Sequence, residues 1–177
     1  MKTKIISVVF FMAISISANA QFNVGLNGEF SVPTKDIGAI INFSTGGELF
    51  VGYKINDRID FNLAYSYSYF KTMAIESQNI SGLSLNVKYF LTRKGNRFYL
   101  GFGTGKYNMN VVVMPGQESL EFKGWGIKPA VGMLLKAGFL ENLYFNSSLS
   151  YLSYFKDINQ NMFSLNLGVV YYLKAKQ

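Results

Sequence analysis

The stretch Met162–Leu173 reads MFSLNLGVVYYL, with Phe163, Leu165, Leu167, Val169, Tyr171 and Leu173 at every second position. Ser164, Asn166, Gly168, Val170 and Tyr172 fall between them. Successive side chains of a strand point to opposite faces, so a period of two makes one face greasy and leaves the other mostly small or polar. A helix would scatter the same residues around its axis.

The same pattern recurs toward the N-terminus. The spacing predicts strands over 22–30, 46–55, 59–70, 83–91, 98–105, 125–135 and 143–155, eight in all with the last. The third is the most regular: Ile59, Phe61, Leu63, Tyr65, Tyr67 and Tyr69 alternate with Asp60, Asn62, Ala64, Ser66 and Ser68. Short connections, Asn56-Asp57-Arg58, Arg93–Asn96 and Lys136-Ala137-Gly138, follow strands two, four and six. Longer ones, 31–45, 71–81, 108–124 and 156–161, follow the odd strands. Segments of about ten alternating residues, with short turns at one end and longer loops at the other, are the pattern of a transmembrane barrel. The expected fold is all-β, an eight-stranded antiparallel up-and-down transmembrane β-barrel.

Met1–Ala20 reads as a cleaved secretory signal. Lys2 and Lys4 precede the apolar run Ile5–Ile16, and Ala18-Asn19-Ala20 supplies a small-x-small cleavage site. The barrel domain is then expected over 21–177. The chain carries 17 basic and 10 acidic residues, a net charge of +7. The charges gather where turns are expected and form no basic stripe, so nucleic acid is not a predicted partner.

Two residue types are missing. Without cysteine there is no disulfide framework, thiol nucleophile or thiolate metal site, and without histidine no Ser-His pair or imidazole ligand. No catalytic residue, cofactor-binding residue, cofactor or metal site is predicted.

Composition indicates which face meets lipid. A water-soluble barrel would carry many Lys and Glu on its polar face. Here that face is mainly Ser, Asn, Gly and Ala, and charged residues make up 15% of the chain. The apolar face is therefore expected outward, with Tyr53, Tyr67, Tyr69, Tyr89, Tyr151 and Tyr171 in aromatic girdles. A lipocalin-like exported carrier, with its apolar face inward, is the alternative. Parity then places Glu29, Glu48, Lys54, Asp60, Lys88 and Lys128 in the lumen, where opposite charges pair as a plug. The rival is a narrow polar path lined by the same charges, with the inward glycines Gly25, Gly52, Gly101, Gly103, Gly105 and Gly132 leaving room for it.

Met114-Pro115-Gly116-Gln117 fits a type II turn. Val111–Val113 before it and Leu120 and Phe122 after it favour strand, so strands five and six are expected to project as a hairpin; an irregular loop is the alternative. Strands three and four echo strands seven and eight, through duplication or convergence. The offset of that echo predicts a bulge or register shift near Leu152.

Asn166, Gly168, Tyr171 and Leu173 resemble the closing-strand signal read by the outer-membrane assembly machinery, with Leu173 where an aromatic is usual. Gly25–Gly38 resembles the opening, and Asn56–Phe70 the next hairpin, of the outer membrane protein β-barrel domain family, common in Bacteroidota-type Gram-negative bacteria. The resemblance implies a barrel built like the OmpX and OmpA transmembrane domains, in the cell outer membrane, and no catalytic residue. Its expected partners are outer-membrane lipids and lipopolysaccharide, the barrel-assembly machinery during insertion, and a surface protein partner. The expected function is a non-catalytic integral barrel acting through its surface loops in adhesion, surface protection or envelope stability, with a narrow passive pore as the alternative.

Overall fold

The computed structural model describes residues 21–34, 41–72, 77–92, 95–112, 119–156 and 161–173; Met1–Ala20 and the turn Met114–Gln117 lie outside them. Eight strands follow one another: β1 (Gln21–Pro33), β2 (Ile41–Lys54), β3 (Ile59–Thr72), β4 (Ser77–Phe90), β5 (Arg97–Val112), β6 (Leu120–Lys136), β7 (Leu143–Lys156) and β8 (Asn161–Tyr172). Each pairs antiparallel with its sequence neighbours, and β1 pairs with β8 to close the barrel.

The stagger can be read from the register. Direct partners lead from Lys54 through Asp60, Lys88, Gly101, Ala130, Ser150, Ser164 and Ser31 back to β2 at Ser44, ten residues from the start. Closure with such a stagger tilts the strands, and with eight strands the interior is just wide enough for side chains to fill.

The outward faces carry two aromatic belts. Phe22, Phe61, Tyr89, Phe98, Phe145 and Tyr171 lie toward the short turns, and Phe30, Tyr67, Tyr69, Trp125, Phe155 and Phe163 toward the longer connections; all are exposed. Leu26, Val51, Leu85, Leu100, Val131 and Leu167 occupy the band between. Tyr53 and Tyr151 are half-buried against Phe22 and Phe163. An apolar outer band between aromatic girdles is the surface that a bilayer requires.

Several strands run further than alternation predicts. β4 begins at Ser77 instead of Leu83, so the connection expected over 71–81 is largely strand, and β5 and β6 stay paired as far as Val111 and Leu120, as the expected hairpin requires. The outward residues there include Asn79, Ser81, Lys106, Asn108 and Lys123, which erase the apolar rhythm. The inward set Ile80, Tyr107 and Met109 stays buried. Backbone pairing needs no greasy outer face once a strand leaves lipid.

No bulge or register shift occurs near Leu152. β7 keeps one register against β8 from Leu143↔Tyr171 to Ser153↔Asn161, and one against β6 on either side of Lys128 and Pro129. Proline has no N–H to give the ladder, so pairing is skipped there without an inserted residue. The irregularity in β2–β3 pairing falls at Ile41/Phe43. Tyr69 faces out while Tyr154 faces in, so that part of the echo between β3 and β7 matches residues on opposite faces.

Inside, a glycine meets an aromatic ring directly across the ladder three times: Gly25 with Phe50, Gly82 with Tyr107 and Gly132 with Tyr99. Each ring lies where a Cβ on its glycine would stand. Such pairs lock register and fill space in a narrow barrel.

Candidate functional site

Three layers of side chains fill the barrel. Near the longer connections Phe70, Ile80, Tyr107, Met109, Leu152, Tyr154 and Met162 form an apolar cluster, with Tyr107 and Tyr154 edge to face at 5.2 Å. Near the short turns a second cluster holds Phe50, Ala64, Phe90, Tyr99, Leu134, Tyr144, Val170 and Tyr172.

Between them lies a polar layer. Lys128 Nζ donates to Glu48 Oε2 at 2.8 Å and stands 3.7 Å from Glu29 Oε2. Asn27 donates to Glu48 Oε1 at 3.0 Å, and Ser31 and Ser164 donate to Glu29 Oε1 at 2.8 and 3.1 Å. Tyr99 donates to Asn146, which donates to Asn27. The network joins β1, β2, β5, β6, β7 and β8. Lys88 is half-buried, its Nζ 4.7 Å from the Phe50 ring centroid and 5.3 Å from that of Tyr99. With two carboxylates and two ammonium groups, the layer carries no net charge.

Parity had given Lys54 and Asp60 to the same lumen, and both are buried but take separate partners. Lys54 Nζ donates at 2.8 Å to Asp57 in the exposed turn. Asp60 accepts from Asn23 at 2.9 Å and from the Tyr172 hydroxyl at 2.8 Å. Arg97 is an interior charge the sequence reading missed. Its Cζ lies 4.7, 5.2 and 5.4 Å from the Tyr144, Tyr172 and Phe90 ring centroids, and Nη2 donates to the Tyr144 hydroxyl at 2.8 Å. Standing beside the basic turn at 93–96, it reads as a turn residue; its shared parity with Tyr99 was the available signal.

A cavity of about 40 Å³ remains in the polar layer, bordered by Asn27, Glu48, Asn62, Lys88 and Asn146. That is room for about three water molecules. Side chains take the space at several inward glycines, Phe50 at Gly25, Asn62 at Gly52, Asn86 at Gly103, and Tyr99 and Ser148 at Gly132, while Gly101 borders the cavity. Among the described residues no group of three or more acidic residues could hold a metal ion.

The four closing-strand residues divide by face. Asn166 is buried and donates to Ser150 at 3.1 Å. Gly168 lies against Asn27, and a Cβ there would meet the Leu26 carbonyl. Tyr171 and Leu173 face outward, and the Leu173 N–H donates to the Phe22 carbonyl at 2.8 Å.

Comparison with solved structures finds the same architecture. Neisserial surface protein A matches with a TM-score of 0.69 at 18% identity, covering 86% of this chain and 98% of that one. OprG from Pseudomonas aeruginosa gives 0.61 at 14%, covering 88% and 96%. Ail, the attachment invasion locus protein of Yersinia pestis, solved with the heparin analogue sucrose octasulfate, gives 0.57 at 12%, covering 87% and 97%. Comparison with curated protein sequences gives no match. The family model described as outer membrane protein beta-barrel domain matches residues 6–170. The outward apolar band and this match set aside a soluble carrier and place the protein in the outer membrane of a Gram-negative bacterium. The chain belongs to the outer membrane protein β-barrel domain family.

Proposed function

We propose that the protein is a non-catalytic, non-conducting surface barrel that acts in attachment through the projecting arms of β5 and β6, with a mature chain of residues 21–177. The observation that carries the reading is the layered interior: two aromatic-apolar clusters close the lumen on either side of a neutral polar layer. An ion would have to shed its water to cross either cluster, which is costly. With the lumen filled, the surfaces left to do work are outside the barrel.

The β5–β6 arms favour one of these surfaces. They are the longest strands, and their upper outward residues Lys106, Asn108, Asn110 and Lys123 are polar. A projecting sheet can present both side chains and backbone to a partner. The attachment invasion locus protein Ail shares the barrel fold and has been solved with a heparin analogue, which supports attachment as the role. Asn166, Gly168, Tyr171 and Leu173 serve earlier, as the signal for assembly.

Two measurements test this. Planar-bilayer recording on refolded protein is expected to be electrically silent; stable unit conductance would establish the narrow pore instead. Deleting Val111–Leu120 is expected to leave folding and insertion intact while abolishing surface binding. Undiminished binding by that deletion would overturn the attachment model.

A further inference from the structure

We infer that Lys106 and Trp125 form an outward-facing site for a phosphate group carried by an outer-leaflet glycolipid. Direct partners across the sheet run Leu83, Lys106, Trp125, Phe155, and all four side chains are exposed on the outer face. Lys106 is thus an ammonium set between apolar neighbours at the level of the upper aromatic belt. Glu29, Glu48, Lys54, Asp60, Lys88, Arg97 and Lys128 point inside, and the other strand charges described as exposed, Glu121, Lys123 and Lys136, stand toward the two ends of β6.

The Lys106 Nζ lies 5.4 Å from the Trp125 ring centroid and has no acidic partner among the described residues. Tryptophan favours the boundary between acyl chains and headgroups, and a lysine stem can lie along apolar surface while its ammonium reaches that boundary. An uncompensated charge there favours an anion at the same depth. A phosphate on a lipid headgroup fits, because lysine binds phosphate as a point charge.

The ground above the pair suits the rest of such a headgroup. Asn108 pairs directly with Lys123, and Asn110 donates to Asn79 at 3.3 Å, so amides and a second ammonium continue the outer face beyond Trp125. Amides are suited to sugar hydroxyls. Lys123 is partly neutralised by Glu121 at 3.1 Å, which leaves Lys106 as the principal charge. At the opposite rim Arg58 also lies over an aromatic ring, but it occupies an exposed turn and its Nη1 already donates to the Tyr89 hydroxyl at 2.7 Å.

Trp125 is the single tryptophan of the chain, so its fluorescence reports on this position. Folded full-length protein would be placed in phosphatidylcholine bilayers containing bisphosphorylated lipid A or the same lipid without its phosphates. The expected result is a saturable change in Trp125 emission and retention through purification with the phosphorylated lipid alone. Retention should fall by about fivefold or more in Lys106→Gln, roughly 1 kcal/mol of binding, and recover in Lys106→Arg. Heat-modifiable gel migration verifies that each variant is folded. Equal retention of the two lipids by the unsubstituted protein would overturn the site, and that arm stands even if a variant fails to fold. Undiminished retention by folded Lys106→Gln would overturn it too. Displacement of the lipid by millimolar inorganic phosphate would assign the position to a free anion and overturn the lipid source.

Discussion

Gly25 and Phe50 are direct partners across the β1–β2 ladder, and the Phe50 ring fills the space that a side chain at Gly25 would take. The pair is a fitted joint: the missing side chain on one strand is the socket for the ring on the next. Gly25→Ala is expected to destabilise the barrel by about 1–3 kcal/mol through overpacking. In a Phe50→Ala background the same change should cost almost nothing. Urea titration of vesicle-inserted protein, scored by gel mobility, measures both, and equal costs in the two backgrounds would show that the joint is not energetic.

Lys128 is held by Glu48 at 2.8 Å and Glu29 at 3.7 Å, all three buried. Lys128→Met should therefore destabilise by about 3–5 kcal/mol, since it leaves buried carboxylates without their counter-ion. Adding Glu48→Gln removes one of those stranded charges, so the double variant is expected to be more stable than the single one. Unfolding midpoints of the three proteins decide it.

Leu167 lies midway along β8 between Phe163 and Tyr171, which belong to opposite belts. Leu167→Arg is expected to cost about 2–4 kcal/mol, the range for a cation at the centre of the lipid face. Asn108→Arg, on the polar extension of β5, should change stability by no more than about 0.5 kcal/mol. Comparable losses at both positions would contradict the placement of the membrane band.

Gly168 packs against Asn27 and the Leu26 carbonyl, while Leu173 closes the seam through its bond to Phe22. Gly168→Val and Leu173→Asp are expected to slow insertion in a pulse-chase assay. The same kinds of change at exposed Ser119, outside the strands, should leave the rate unaltered.

Alternation made much of this architecture legible. Tyr171 and Leu173 face lipid because they share parity with Phe163, and Lys54 and Asp60 face inward for the same local reason. The extension of β5 and β6 was legible in Val111, Leu120 and Phe122, whereas the early start of β4 was hidden, because Asn79 and Ser81 are polar on the outer face. Arg97 was hidden by its place beside a turn. What fills the space at Gly25 was hidden as well, since the ring comes from another strand.

The order of in and out along each strand follows from backbone geometry, which turns successive side chains to opposite faces. Together with a polar face poor in charge, that order was enough to establish from sequence a barrel with its apolar side in lipid. The partners of the interior groups were decided only by tertiary structure. Lys128 meets Glu48 from 80 residues away, and Arg97 enters a cage of Phe90, Tyr144 and Tyr172 drawn from three other strands. Which residues share a level depends on the stagger accumulated around all eight strands, here ten residues between Lys54 and Ser44. Such a sum exists only once the barrel is closed.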